Sequence, residues 1–170
     1  ESIQWNSIAI GYIHQDFDTP DLTGYYFSAS ELISNNVFII GDYSKTDANI
    51  ANTGQTLNKD TFSLGLGYRH RLSSLTDSYA KISYRKSKNH LANEASKSID
   101  GIELELGVRT LLSESIEVGS LIGHSEFDSS TSTYVGITSR YHYNDNFALS
   151  FDYQRASDEG ISTLALVLSF

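Results

Sequence analysis

The sequence contains no cysteine, no methionine and only one proline among its 170 residues. Without cysteine, the chain has neither a disulfide framework nor thiolate metal sites. It also lacks any run of about 18 apolar residues, which excludes an α-helical membrane span. Basic residues are scarce as well: 12 Lys and Arg stand against 21 Asp and Glu, giving a net charge of −9. This balance argues against nucleic-acid binding, which requires a basic face.

The length of 170 residues predicts one domain that covers residues 1–170. The chain begins with Glu1 and no methionine precedes it. We therefore expect a mature form from which a secretion signal has been removed.

Alternating apolar residues are the strongest positive feature, and the C-terminal segment shows them most clearly. From Leu164 to Phe170 every second residue is apolar and shares one face, while Thr163 and Ser169 lie on the opposite face. This period of two predicts a β-strand. A strand that ends on an aromatic residue of an apolar face is expected in a membrane barrel, where that ring lies at the interface.

The same alternation predicts about ten strands along the chain, with eight as the alternative. The predicted ranges are 5–15, 24–33, 37–45, 61–71, 78–86, 101–110, 116–126, 132–143, 147–156 and 162–170. Connections after odd-numbered strands are mostly long and polar, as at 46–60 and 87–99, whereas those after even-numbered strands are short. Outer-membrane barrels have this asymmetry, and an even number of strands places both termini at the short-turn end.

Alternation alone does not separate a membrane barrel from a soluble one, whose apolar face points inward. The polar face here carries glycines, such as Gly65, Gly67 and Gly107, which suit a crowded barrel interior. The apolar face ends in two aromatic belts, as two lipid–water interfaces favour. One predicted belt contains Tyr68, Tyr141, Tyr143, Phe147 and Phe170, and the other Tyr12, Tyr25, Tyr43, Tyr84 and Tyr153. We therefore predict an all-β fold, a closed antiparallel up-and-down transmembrane β-barrel.

Four segments also carry a family resemblance: residues 62–69, 107–109, 140–149 and 164–170. They resemble the small outer-membrane β-barrel proteins of Gram-negative bacteria, the OmpA-type transmembrane and "porin family" group. The resemblance covers nearly the whole chain. It implies integral location in the bacterial outer membrane, periplasmic termini, and recognition of the final strand at Phe170 by the barrel-assembly machinery.

Charged residues of both signs fall on the predicted inward face. They are Asp42, Arg69, Arg71, Lys81, Arg85, Glu103, Glu105, Arg109, Glu117, Arg140 and Asp152. Because buried charges must be paired, we expect an ion-pair network that fills a narrow lumen. The alternative is a small, low-conductance channel lined by the same charges.

Lys86 and Arg155 fall on the lipid-facing parity near the loops, where a cation contacts lipopolysaccharide phosphates or snorkels to the interface. Asp16, Asp18 and Asp21 form an acidic loop rather than a full Ca²⁺ ligand set. No cofactor or metal site is predicted. No catalytic residue is predicted either, because His124 and Ser125 are adjacent on a strand and therefore point to opposite faces. The sequence thus favours a structural protein that contacts outer-membrane lipid, lipopolysaccharide or an envelope protein, and a lipid-modifying enzyme less.

Overall fold

A computed structural model describes residues 3–16, 21–50, 55–91, 95–128, 130–157 and 159–170. Within these ranges the chain forms ten strands. They are β1 (Ser7–Asp16), β2 (Leu22–Leu32), β3 (Val37–Ile50), β4 (Gln55–Arg71), β5 (Thr76–Leu91), β6 (Lys97–Ser113), β7 (Ile116–Phe127), β8 (Ser130–His142), β9 (Phe147–Arg155) and β10 (Gly160–Ser169). The described part of the chain includes no helix long and apolar enough to cross a membrane.

The ten strands close into one antiparallel barrel, in which each strand pairs with its neighbours in sequence. β10 completes the ring by pairing with β1, in a register that joins Ile8 to Leu168 and Tyr12 to Leu164. The Phe170 amide adds a bond to the Asn6 carbonyl at 3.2 Å. The predicted all-β fold and its ten strands are confirmed, and the eight-strand alternative is wrong.

The two faces of the sheet differ as the alternation requires. In β10, Leu166 is 65 % exposed on the outer wall, whereas Ala165 and Val167 on the inner wall are 2 % and 1 % exposed. Outward side chains are mainly apolar, while inward ones are mainly small or polar. Water-exposed surface of this composition is costly, and lipid removes that cost.

Two segments predicted as loops contain strand extensions in their described residues. Residues 46–50 and 55–60 belong to β3 and β4, with Thr46 paired to Lys59, and residues 87–91 and 97–99 belong to β5 and β6, with Lys88 paired to Ser98. The outward apolar residues stop before these segments, so the alternation no longer marks a strand. Backbone pairing continues because inward groups, such as Thr46 at 1 % exposure, still pack inside the wall.

The barrel has two distinct ends. The short-turn end contains connections 33–36, 72–75, 114–115 and 143–146, together with Asn6 and Phe170. At one of these turns the amides of Asn146 and Phe147 donate to Asn144 Oδ1 at 3.0 and 2.9 Å, an Asx turn. The opposite end, the loop end, carries the other connections. Of the acidic loop residues, Asp16 and Asp21 lie there, and Asp18 lies outside the described residues.

Candidate functional site

The candidate site is the interior of the barrel. Inward side chains from all ten strands line a cavity of about 740 Å³, called here the lumen cavity. Its lining runs from Trp5 and Phe38 near the short-turn end to Lys59 and Glu159 near the loop end. The expectation of a filled lumen is therefore wrong for the middle of the barrel, where ten strands leave more space than the inward side chains occupy.

A short segment before the first strand fills the short-turn end of the lumen, and the sequence analysis placed only its last residue, Trp5, in that strand. Residues 3–5, the N-terminal plug, precede β1, and their Ile3 and Trp5 side chains are 4 % and 5 % exposed. They form a buried cluster with Phe38 and Leu111, against which Tyr79 packs. The Trp5 ring lies 4.6 Å from the Phe38 ring and 5.6 Å from the Tyr79 ring, measured between centroids.

Two ion pairs hold the N-terminal plug in place. Asp77 accepts a bond from Trp5 Nε1 at 2.8 Å and pairs with Arg69 at 3.3 Å. Arg109 pairs with Glu117 at 2.7 Å, and its guanidinium lies 4.5 Å from the centre of the Trp5 ring. Arg109 Nη2 also donates to the Gln4 carbonyl at 3.0 Å. Cation–π contact and charge-assisted bonds together fix the plug to the inner wall.

A second group of charges lies in the middle of the lumen. Lys81 pairs with Glu105 at 3.2 Å, and Arg85 pairs with Glu103 at 3.1 Å. Glu105 also accepts bonds from the hydroxyls of Tyr79 and Tyr134, at 2.8 and 3.2 Å. Lys81 and Glu105 are direct partners in the β5–β6 register, so strand pairing itself brings the opposite charges together.

Three other predicted charges in the lumen are not paired in this way. Asp42 accepts one bond, from the Tyr26 hydroxyl at 2.9 Å. Neither Arg140 nor Asp152 has an ion pair or hydrogen bond among the described residues, although both line the lumen cavity. The lumen therefore combines direct ion pairs with charged groups of both signs that make no direct contact with an opposite charge.

The structure places ten of the eleven predicted lumen charges on the inner wall; the exception is Arg71. Its side chain is 52 % exposed at the rim of the short-turn end, 3.7 Å from Asp77. The strand ends there, so inward parity no longer directs a long side chain into the lumen. Asp77 itself, 2 % exposed, was missed because the fifth strand was predicted to begin at residue 78, one residue after Asp77, whereas β5 begins at Thr76.

The predicted surface residues all lie on the outer wall. Tyr68, Tyr141, Tyr143, Phe147 and Phe170 are exposed around the short-turn end. Lys86 and Arg155 are exposed toward the loop end. Two further lysines that the sequence analysis did not name, Lys45 and Lys88, lie beside Lys86. In the strand register, one row across β3–β5 contains Lys45, Asp60 and Lys88, and the next row, across β4–β6, contains Phe62, Lys86 and Asp100.

No sequence match exists among curated proteins. Solved structures nevertheless share the barrel. The KdgM porin is 11 % identical with a TM-score of 0.55, covering 95 % of this chain and 99 % of its own. The NalP autotransporter translocator domain from Neisseria meningitidis is 11 % identical with a TM-score of 0.57, covering 100 % and 90 %. The outer membrane protein OprG from Pseudomonas aeruginosa is 9 % identical with a TM-score of 0.51, covering 99 % and 98 %.

At these identities the structural likeness shows the fold alone. Family membership comes from the sequence: a model described as "Outer membrane protein beta-barrel domain" matches residues 5–163. That range includes every predicted lumen charge and all of β1–β9. The chain therefore belongs to the outer-membrane protein β-barrel domain family, whose members reside in the bacterial outer membrane.

Proposed function

We propose that this protein acts through its outer surface, as a structural barrel of the outer membrane that contacts lipopolysaccharide or an envelope protein, and not as an open pore. The N-terminal plug carries this proposal. Trp5 is buried among Phe38, Tyr79 and Leu111, and two ion pairs tie it to the wall. A lumen closed in this way at one end offers no continuous aqueous path.

The proposal includes an orientation in the membrane. The loop end faces the outside of the cell, and both termini lie in the periplasm, as in other barrels with short turns at the terminal end. Lys86 and Arg155 then lie where lipopolysaccharide phosphates occur, with Lys45 and Lys88 beside Lys86. The barrel-assembly machinery would act on the final strand during insertion.

The proposed role involves no catalysis. His124 is exposed on the outer wall and hydrogen-bonds Thr133 Oγ1 through Nδ1 at 2.9 Å, whereas Ser125 is buried on the inner wall. These neighbours therefore form no nucleophile–base pair. Lipid A mass spectra from cells with and without the protein are expected to be the same, and a new lipid A species would contradict this part of the proposal.

A small channel is the second candidate, and the lumen cavity of about 740 Å³ favours it. One solved porin of the same fold, KdgM, is described in complex with disordered oligogalacturonate. For this chain, conduction would require the N-terminal plug to leave the short-turn end, which breaks the Trp5–Asp77 bond and the Arg109 contacts.

Single-channel recording in planar bilayers separates the two candidates. We expect no resolvable conductance steps from the refolded barrel, because the plug leaves no continuous water column through the lumen. Heat-modifiable gel migration verifies that the barrel is folded, and a porin reconstituted in the same way is the positive control. Regular conductance steps from the folded protein would contradict the structural proposal and support the channel.

A further inference from the structure

An arginine without a direct partner on the inner wall, near the short-turn end, points to a binding site. Arg140 on β8 lies opposite Glu117 in the β7–β8 register, but Glu117 Oε1 accepts from Arg109 at 2.7 Å and its Oε2 lies 3.5 Å from His142 Nε2. Arg140 has no ion pair or hydrogen bond among the described residues, and its Nη1 atom is buried without a partner. A buried guanidinium with an unsatisfied N–H is unfavourable unless another group supplies the acceptor.

Two unpaired carboxylates lie near the same level of the barrel. Asp152 on β9 pairs in register with Thr138, two residues along β8 from Arg140, and forms no ion pair or hydrogen bond among the described residues. Asp42 lies on β3, five strands around the ten-strand ring from β8, and accepts only the Tyr26 hydroxyl within the described part of the chain. The cation and one of the anions therefore project from opposing walls.

The remaining charges in the middle of the lumen compensate one another. Lys81 is paired with Glu105, and Arg85 with Glu103. Three charged groups therefore have no direct ion-pair partner among the described residues: the Arg140 guanidinium and the carboxylates of Asp42 and Asp152, with Asp152 on the strand next to Arg140. A ligand with a net charge would be attracted by one set and repelled by the other, whereas a dipolar ligand satisfies both.

The groups around these charges favour recognition of a polar ligand. Serine hydroxyls lie beside these charges in register: Ser28 and Ser63 flank Asp42, and Ser150 is opposite Arg140. The aromatic floor of Trp5, Phe38 and Tyr79 closes one side of the cavity. A cavity of about 740 Å³ falls within the usual range of ligand pockets, roughly 300–1,000 Å³.

We propose that the lumen cavity binds a small molecule that carries both a carboxylate and an ammonium group. The carboxylate is held by the Arg140 guanidinium, whose planar donors match it. The ammonium group is held by Asp152 and Asp42. The ligand enters from the loop end, because the N-terminal plug fills the short-turn end. This site goes beyond the proposed surface role and does not depend on it.

The test uses zwitterions of increasing charge separation: glycine, β-alanine and γ-aminobutyrate. Acetate and methylammonium serve as half-ligands. Binding to the folded barrel is measured by calorimetry and by the fluorescence of Trp5, the one tryptophan, which lines the cavity floor. We expect saturable binding of at least one zwitterion, at least about tenfold tighter than either half-ligand, because both charges contribute.

Variants assign the binding to the proposed residues. Arg140→Gln and Asp152→Asn are each expected to weaken binding by at least about tenfold, since each removes one charge-assisted interaction. Arg155→Gln, which removes a cation from the outer wall, should bind like the wild type. Heat-modifiable migration establishes that each variant is folded, and Asp42→Asn replaces any variant that is not. The absence of saturable zwitterion binding, or equal binding by all variants, would overturn the proposal.

Discussion

At the scale of single residues, Trp5 connects most of the groups that close the barrel. Its ring packs on Phe38 and Tyr79, its Nε1 atom donates to Asp77, and the Arg109 guanidinium lies over its face. Burying a Trp side chain contributes on the order of 3–5 kcal/mol, as judged from truncation to alanine. The carboxylate of Asp77, 2 % exposed, accepts hydrogen bonds from both Trp5 Nε1 and Arg69 Nη1.

Single cations on the outer wall carry the prediction about lipopolysaccharide. We expect Lys86→Gln and Arg155→Gln each to weaken lipopolysaccharide binding about fivefold, since a cation near an anionic membrane surface contributes about 1 kcal/mol. Calorimetric titration of the detergent-solubilised barrel at low and high salt measures the change, which screening should reduce at high salt. Arg71→Gln is the matched control, because Arg71 is exposed at the opposite end. Equal weakening by all three variants would contradict the assignment.

At the scale of strands, large inward rings pack over glycines of the neighbouring strand. Phe38 is paired with Gly67, Tyr79 with Gly107, and Tyr134 with Gly123. A Cβ atom at any of these glycines would overlap the ring. Cross-strand aromatic contact of this kind covers the bare backbone of the glycine and fixes the register of the pair.

Gly67→Ala tests this packing in β4. The added methyl group must displace the Phe38 ring, which is 2 % exposed and forms part of the plug cluster, so we expect a loss of about 1–3 kcal/mol of folding free energy. Urea titration in lipid vesicles, followed by far-UV circular dichroism, measures it.

Gly41→Ala in β3 is the control for that substitution. The nearest atom to a Cβ at Gly41 is 3.9 Å away, an ordinary van der Waals contact, so its stability should match the wild type. If both alanine variants unfold at the same urea concentration as the wild type, the ring–glycine contact does not stabilise the barrel.

At the scale of the whole molecule, the sequence predicts the strands of the barrel and their two faces better than the side-chain contacts inside the lumen. A wall with lipid outside and polar groups inside imposes a period of two, which made ten strands, their faces and the closure of β10 on β1 predictable. The contents depend on which side chain reaches which partner. Arg140 and Glu117 are register neighbours, yet Glu117 pairs with Arg109.

The alternation of apolar and polar residues did not predict the N-terminal plug. Trp5 shares the inward parity of Ser7, so the alternation placed Trp5 in the first predicted strand, and residues 3 and 4 were not assigned to any element. Residues 3–5 have no partner strand in the described part of the chain. The sequence signal for the plug was a single tryptophan at the end of an otherwise polar inward face. The strand extensions at 46–50 and 55–60 were missed for the opposite reason, because the outward apolar residues stop where the pairing continues.

The environment of Trp5, in protein refolded into lipid vesicles, is the most direct test of the plugged barrel. It is the one tryptophan in the chain, so its fluorescence reports on the plug alone. Because the ring is buried inside the lumen, we predict little quenching by aqueous iodide and little by lipids brominated on their acyl chains. Iodide quenching as strong as in the urea-unfolded chain would place Trp5 in water, and strong quenching by brominated lipid would place it on the outer wall; either result contradicts the plug.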